Sequence, residues 1–497
     1  MNLWAAGFCG LVWLTVGCEA PPYEMKPGEA DTDTDTDTDT DTDTDTDTGE
    51  APAPEYVPTP LQVVGNHFLD EEGGVVILRG VNVSGASKVP PYLPYQDESA
   101  LDPIAGWGFN ALRLLFTWEG YEPEDGQVDA AYLDAIEDAA DAAWARGLYV
   151  IIDFHQDGYS RHLAGGCGDG FPAWSIPPGA TLDTPDNSEA CHNWPVMVVA
   201  DPDVHAAFSA FYADTHGVRT RYLALMATLA ERFADHEGVI GYDLINEPWG
   251  WGASELSPLY EDAAAAIRAQ DPDAILFIEG HADTNNGVIQ ADLSRPSFGN
   301  YVYAPHFYET LVITTRFYSG LSTATDIGFG TMKAKAAEWG VPLLLGEFGA
   351  HADTINGPDY VALQYERLDD YLFSGTQWNY TPGWTQAHKD GWNGEDLSIA
   401  DGQGNLRAHF RVRPQPRRFS GKPEAFSVST QAIEWTWNHV PSLGVTAVFV
   451  PAQEWFGSSS PDISVSAPGV TCDFNAATQL VICAGESAGA VTVVVGP

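Results

Sequence analysis

Two glutamates close strongly apolar runs in this chain. Glu247 lies in YDLINEPWG (242–250), directly after Asn246, and Glu347 lies in LLLGEFG (343–349). A carboxylate inside an apolar strand without partners costs several kcal/mol or more. Such a residue belongs at the strand's mouth, with chemistry to do or a partner to meet. Two carboxyl groups flanking one bond suit acetal hydrolysis: one holds a proton near neutral pH for the leaving oxygen, and the other attacks the anomeric carbon. A separation of about 5 Å would give the retaining, double-displacement form. Taken singly, each glutamate also has a plainer reading as a salt-bridged strand-end residue; their joint placement strengthens the case for chemistry.

The elements that must carry these residues follow from periodicity. Eight short apolar runs occupy 74–85, 110–118, 147–157, 239–248, 274–281, 301–308, 341–349 and 375–384. Longer patterns with apolar residues at helical spacing and a closing glycine separate them, as at 130–147 and 221–238. Continuous apolar strands alternating with helices indicate a parallel sheet covered on both faces. Eight such units predict an α/β fold, a (β/α)8 TIM barrel over 61–412. Arg113, His155, Asp157, Asn246, Glu247, His306, Tyr308, Glu347 and Trp378 then fall at or just past strand ends, on one rim. After this, RPQPRRFSGKP (413–423) reads as a basic, proline-rich linker into a small β-sandwich ending the chain, 413–497.

The formal net charge of −48 over 497 residues argues against a nucleic-acid partner. Nine of the 70 acids lie in the Asp–Thr repeat between Asp31 and Thr48, which cannot bury a core. The segment 19–60 is expected to be a disordered, solvated spacer. It lacks the glycine turns of a calcium loop. Residues 4–17 have the length of a signal-peptide core, and LTVGC resembles a lipoprotein processing box with Cys18 as the lipidated residue. No basic residue stands near Met1. Export, secreted or as a cell-surface lipoprotein, is the expectation for residues 1–18. It would permit disulfides, and Cys167 with Cys191 and Cys472 with Cys483 are the local pairs. Zinc is the alternative, although no C-x-x-C or paired-histidine spacing supports it.

The segments LINEP, GEFG, LRGVNVSG and ALRLLFTWEGYEP resemble glycoside hydrolase family 5. NVSGASKVPPY (82–92), IIDFHQDGYS (151–160) and the 413–423 segment are similar to its endoglycoceramidase-like subgroup, which releases intact oligosaccharide from the ceramide of glycosphingolipids. The resemblance runs from about residue 61 to the C-terminus. It implies Glu247 as general acid/base and Glu347 as nucleophile, with Arg113 and Tyr308 holding Glu347 ionised. Asn246 would hold the sugar 2-hydroxyl, and Trp378 would stack on sugar. Asp157 and Lys88 would contact sugar hydroxyls, with His155 in the same segment. His306 reads as a substrate neighbour or as a satisfied core histidine. Asn285-Asn286-Gly287 departs from the subgroup's Asn-Gln-Gly, and the insertion from Gly165 to Asp203 matches no motif of it.

PPYLPY (90–95) and WGWG (249–252) are candidates for a surface that receives an apolar aglycone. Rival readings are a family 5 enzyme acting on another β-glucoside or β-galactoside lipid or on soluble β-glucan, and an inactive glycan-binding surface lipoprotein. No Rossmann or P-loop glycine pattern is present, and the two-carboxylate reaction calls for neither cofactor nor metal. The expected partners are a glycolipid or β-glycan and a membrane surface, met by a monomer.

Overall fold

The computed structural model describes residues 55–497. The apolar stretch 4–17, Cys18 and the Asp–Thr repeat lie outside the described residues. Eight parallel strands form the barrel: β1 (Arg79–Val83), β2 (Ala111–Phe116), β3 (Tyr149–Phe154), β4 (Val239–Asp243), β5 (Ile275–Ile278), β6 (Tyr301–Tyr303), β7 (Leu344–Leu345) and β8 (Ser374–Gln377). Strand β8 pairs back onto β1 through Gly375 and Arg79, and one parallel bridge, Tyr303 to Leu343, closes β6 against β7. Seven of the predicted runs contain one of these strands whole, and β8 begins one residue ahead of the run 375–384; the regular part is in every case shorter than the run.

Helices cover the outside because their apolar faces recur every three or four residues. The helix Ala130–Trp144 buries Tyr132, Leu133, Ile136, Ala139, Ala140 and Ala143, and Asp129 caps it by accepting the N–H groups of Ala131 and Tyr132.

Inside the barrel the two-residue period of a strand sorts side chains into layers. Ala111, Ile151, Phe277, Val302 and Leu344 belong to one apolar cluster. One pleat further along the same strands come Arg113 and Asp153, with Glu279 just past β5. An apolar plug therefore underlies a charged layer. Phe68 stacks on Phe277, with ring centroids 6.3 Å apart.

Phe68 belongs to a part of the chain whose pairing local patterning does not reveal. The strands Gln62–Val64, His67–Leu69 and Val75–Val76 join Gln415–Phe419, Thr446–Phe449, Leu480–Gly485 and Val470–Asn475 in one seven-stranded antiparallel sheet. A four-stranded sheet faces it across a core including Phe419, Trp435, Trp437, Val448, Val481 and Val493. The sandwich is thus built from both ends of the described chain.

The linker reading of 413–423 is corrected by the structure. Those residues contribute the strands Gln415–Phe419 and Gly421–Val428, with register shifts beside Pro416 and Pro423, where proline cannot continue the ladder. Two of the basic residues are buried in ion pairs: Arg418 with Asp70 and Glu72, and Arg413 with Asp369 at 2.5 Å. A sequence window shows their charge but not their partners. Cys472 and Cys483 face each other on neighbouring strands and are bonded; Cys167 is bonded to Cys191.

Candidate active site

Arg113 organises the mouth of the barrel. It lies inside β2 rather than at its end, and it is fully buried. Its five N–H donors meet five acceptors. Nε donates to Asp243 at 2.9 Å, Nη1 to Asn82 at 3.0 Å and Glu347 at 2.8 Å, and Nη2 to Asp153 and Asn246, both at 2.8 Å. The planar guanidinium fork matches this arrangement, and an ammonium could not reproduce it. Asp243, which patterning leaves unexplained in the middle of an apolar run, is an Arg113 partner.

Glu347 receives its second hydrogen bond from Tyr308 Oη at 3.0 Å, on Oε2. Glu247 receives one from Asn285 Nδ2 at 2.9 Å, on Oε1. Asn285, the first residue of the Asn-Asn-Gly segment, thus reaches the carboxylate itself, while the shorter amide at Asn286 donates to the Asp283 carbonyl at 3.1 Å. His306 stands between the two acids: Nδ1 is 2.9 Å from Glu247 Oε1 and 3.6 Å from Glu347 Oε2. One donor atom from each of these three residues lies within 4.8 Å of the other two. That is the close carboxylate spacing of a retaining enzyme.

Environment separates the two acids. Burial pushes the Glu247 carboxyl up to about 7, assisted by the negative charge of Asp157. Burial also raises Glu347, with the Arg113 charge opposing it. Two carboxyls this close favour holding one proton between them. The donors from Arg113 and Tyr308 keep Glu347 as the anion, so the proton belongs on Glu247. Glu247 also keeps 18 % side-chain exposure against 6 % for Glu347. Its backbone has φ of 39°, a strained conformation for a non-glycine residue. Two flanking side chains hold it there: its N–H donates to Glu279 Oε1 at 2.7 Å, and its C=O accepts from Gln156 Nε2 at 3.2 Å.

His155, Asp157, Lys88 and Trp378 gather on the β1–β3–β8 side. Asp153, His155 and Asp157 alternate along the end of β3. Asp153 meets His155 Nδ1 at 2.7 Å; although burial works against the imidazolium, this carboxylate holds His155 up to about 10. The ring stacks on Trp378, with centroids 5.5 Å apart and planes 7° from parallel. Lys88 Nζ pairs with Asp157 at 2.5 Å and lies 4.4 Å above the Trp378 ring. Asn246 is buried between Arg113 and the Gln156 carbonyl, to which Nδ2 donates at 3.1 Å; its second amide N–H is left for a ligand.

The structure thus brings every predicted rim residue into one site and places His306 against both glutamates. Within 90–95, Tyr92 is buried, with its ring against Tyr132 of the Ala130–Trp144 helix, whereas Pro90 and Pro91 are exposed and Leu93 and Tyr95 half-buried. Sequence reasoning also missed Asn82, Asp153, Glu279 and Asn285 as partners of the catalytic layer. A usable signal existed for Asp153, a charged residue in register with His155 at strand spacing inside an apolar run. None existed for Asn285, which reaches Glu247 from a loop.

Comparison with known proteins agrees with this geometry. Residues 69–383 match the sequence model of the family described as Cellulase (glycosyl hydrolase family 5). Endoglycoceramidase I of Rhodococcus hoagii is 27 % identical over 424 residues, 79 % of this chain and 80 % of that one. The structure of endo-glycoceramidase II from Rhodococcus sp. in complex with ganglioside GM3 superposes with a TM-score of 0.74 at 26 % identity, covering 87 % of this chain and all of that one. The lactosyl-enzyme intermediate of the same enzyme gives 0.72 at 26 % identity, covering 87 % and 99 %. With a retaining carboxylate pair at the mouth of an eight-stranded barrel and the family's pattern along most of its length, the chain belongs to glycosyl hydrolase family 5.

Proposed function

We propose that this protein is a retaining β-glycosidase that hydrolyses the bond between a sugar headgroup and ceramide. In the first step a Glu347 oxygen attacks the anomeric carbon while Glu247 gives its proton to the departing ceramide oxygen, leaving a glycosyl ester on Glu347. In the second, Glu247 takes a proton from water, the water oxygen attacks the anomeric carbon and the ester bond breaks. Glu347 is freed as carboxylate. Arg113 and Tyr308 steady the carboxylate that attacks and later departs. Asn246 offers its free N–H to the sugar 2-hydroxyl, and Trp378 offers the face on which the sugar rests.

One observation carries the lipid part of this reading. Large apolar side chains stand exposed on the loops that follow β4 to β7, the half of the rim that holds Glu247. Trp251 is 75 % exposed and Val288 69 %; Ile289, Leu311 and Phe317 are exposed as well. Exposed apolar side chains on the rim beside a polar slot fit a substrate with an apolar tail. Soluble β-glucan needs no such rim. The covalent lactosyl enzyme of the Rhodococcus relative supports the same chemistry.

The test is incubation with lactosylceramide, with products identified by mass. Intact lactose and ceramide are expected; turnover of soluble β-glucan alone would remove the ceramide reading. Glu347→Gln is expected to lower turnover by roughly 10⁴-fold or more while retaining substrate binding. Export with lipidation at Cys18 belongs to the same proposal, and the two disulfides support it. Metabolic labelling with a fatty acid, lost in Cys18→Ser, tests it.

A further inference from the structure

The buried carboxyl of Glu279 takes no part in the two-step reaction, yet it touches the acid/base at its backbone. It follows β5 directly and has no exposed surface, and its Oε1 accepts the Glu247 N–H at 2.7 Å. Oε2 is buried without a partner. The acids facing it are Asp243 and Glu247, the cation is Arg113, and the nearby phenols are Tyr260 and Tyr303. All five Arg113 donors are spent on other acceptors, and the Tyr260 hydroxyl donates to the Glu279 backbone carbonyl at 2.8 Å. Burial, with the Asp243 and Glu247 charges added, holds the Glu279 carboxyl well above the usual carboxylate range. Near neutral pH it carries a proton, and with it an O–H donor.

A second unpartnered group lies beside it. His306 Nε2 is buried without a partner, 3.6 Å from Glu279 Oε1, and Gly346 packs against it with no side chain to offer. The opposite nitrogen, Nδ1, faces Glu247 Oε1 at 2.9 Å and Glu347 Oε2 at 3.6 Å. A neutral imidazole carries one ring hydrogen, on either nitrogen. On Nδ1 it meets two carboxyl oxygens, one of them the anion's; on Nε2 it leaves a bare lone pair against that anion. The two tautomers also differ in what they do to the acid. Glu247 Oε1 already accepts from Asn285 Nδ2 at 2.9 Å. With Nδ1–H as a second donor, Oε1 is the carbonyl oxygen, and the acid's proton sits on Oε2, free for the leaving group. With Nδ1 bare, that proton is drawn to Oε1 and held by the imidazole. The productive tautomer leaves Nε2 bare, and a buried bare acceptor is unfavourable until a donor meets it.

We propose that Glu279 is a positioning residue for the acid/base: protonated, it donates to His306 Nε2 while accepting the Glu247 N–H, which fixes the Nδ1–H tautomer and keeps the acid's proton on Oε2, toward the substrate. A small turn of the carboxyl brings its O–H onto Nε2. No proton passes along this chain during turnover; Glu279 acts only through where the hydrogens sit. The proposal rests on Glu247 being the general acid, as in the function proposed above, and requires nothing of ceramide.

Nitrogen NMR of protein labelled at histidine reads the tautomer directly, with His306 identified by the signals lost in His306→Asn. Below the Glu247 value of about 7, His306 is expected to be neutral with its hydrogen on Nδ1. A hydrogen on Nε2 would overturn the proposal. Glu279→Gln keeps one acceptor and one donor and is expected to hold the same tautomer, whereas Glu279→Leu is expected to lose it. Aryl β-lactosides give the kinetic readout. In Glu279→Leu, kcat/KM is expected to fall about 100-fold when phenol leaves, which needs the acid, and less than about threefold when dinitrophenol leaves, which does not. Glu279→Gln is expected to come within about fivefold of the parent protein on the phenyl substrate. Equal falls for both leaving groups, or a glutamine variant as impaired as the leucine one, would overturn the proposal. Should Glu279→Leu not fold, the tautomer in the parent protein and the glutamine variant still decide. A Glu247→Gln protein that loses activity equally on both substrates would instead remove Glu247 as the acid. Leaving-group dependence in Glu247→Gln with none in Glu279→Leu would remove Glu279 alone.

Discussion

The imidazole of His306 stands 2.9 Å from Oε1 of Glu247 and is wholly buried. Burial pushes the imidazole down to about 4, so near neutral pH it is uncharged and leaves the carboxyl free to hold its proton. Glu247 itself is pushed up to about 7 by burial and by Asp157. A general acid works only while protonated, so kcat/KM is expected to fall as pH rises through about 7. Asn285 donates to the charged carboxylate and favours it; Asn285→Ala is therefore expected to move this alkaline limb to higher pH. A pH–rate profile on a soluble aryl glycoside reads both. A limb that stays put in Asn285→Ala, or that lies near the ordinary carboxylate value of about 4.3, would separate Glu247 from the acid role.

Removing Arg113 leaves Asp243, Asp153 and Glu347 buried without their common cation. Arg113→Met is expected to cost about 3–5 kcal/mol of stability, the usual penalty for breaking a buried ion pair from one side. Denaturant unfolding measures it. Arg113→Lys keeps the charge but lacks the fork, and is expected to retain more stability than the methionine variant while losing most activity.

Gly346 precedes Glu347 for lack of space. A Cβ there would lie 2.8 Å from Nε2 and 2.9 Å from Cδ2 of His306. The ring cannot yield easily, since Nδ1 is held near both glutamates. Gly346→Ala is expected to cost about 1–3 kcal/mol as overpacking and to depress kcat more than KM. A fully active, fully stable alanine variant would show that the ring has room to move.

Trp251 lies in the exposed apolar rim. Trp251→Ser is expected to change stability by less than about 0.5 kcal/mol, as exposed substitutions usually do. Hydrolysis of lactosylceramide in vesicles is expected to fall several-fold relative to hydrolysis of a soluble lactoside. If the two rates fall in parallel, the rim does not receive the lipid.

Glu247, Glu347 and the eight strands were legible because each leaves a local trace. A buried parallel strand is a short apolar run, and a barrel sends all its strand ends to one rim, so a polar residue ending such a run declares its place. Of WGWG, the structure leaves Trp251 exposed and Trp249 half-buried. The burial of PPYLPY was not legible, because aromatic composition cannot tell a rim from a core: Tyr92 packs inward while Pro90 and Pro91 are exposed.

Tertiary structure alone decided the rest, wherever partners come from distant segments. The five acceptors of Arg113, the amide of Asn285 on Glu247, and Arg418 of the apparent linker meeting Asp70 are pairings that no window of neighbouring residues contains. The joining of the N-terminal strands to the C-terminal sheet, and of the insertion after β3 to the loop after β8, is of the same kind. Hydrophobic periodicity acts over a few residues and can be read along the chain. Charge compensation in a buried layer acts through space, so only the closed barrel shows which groups neutralise one another.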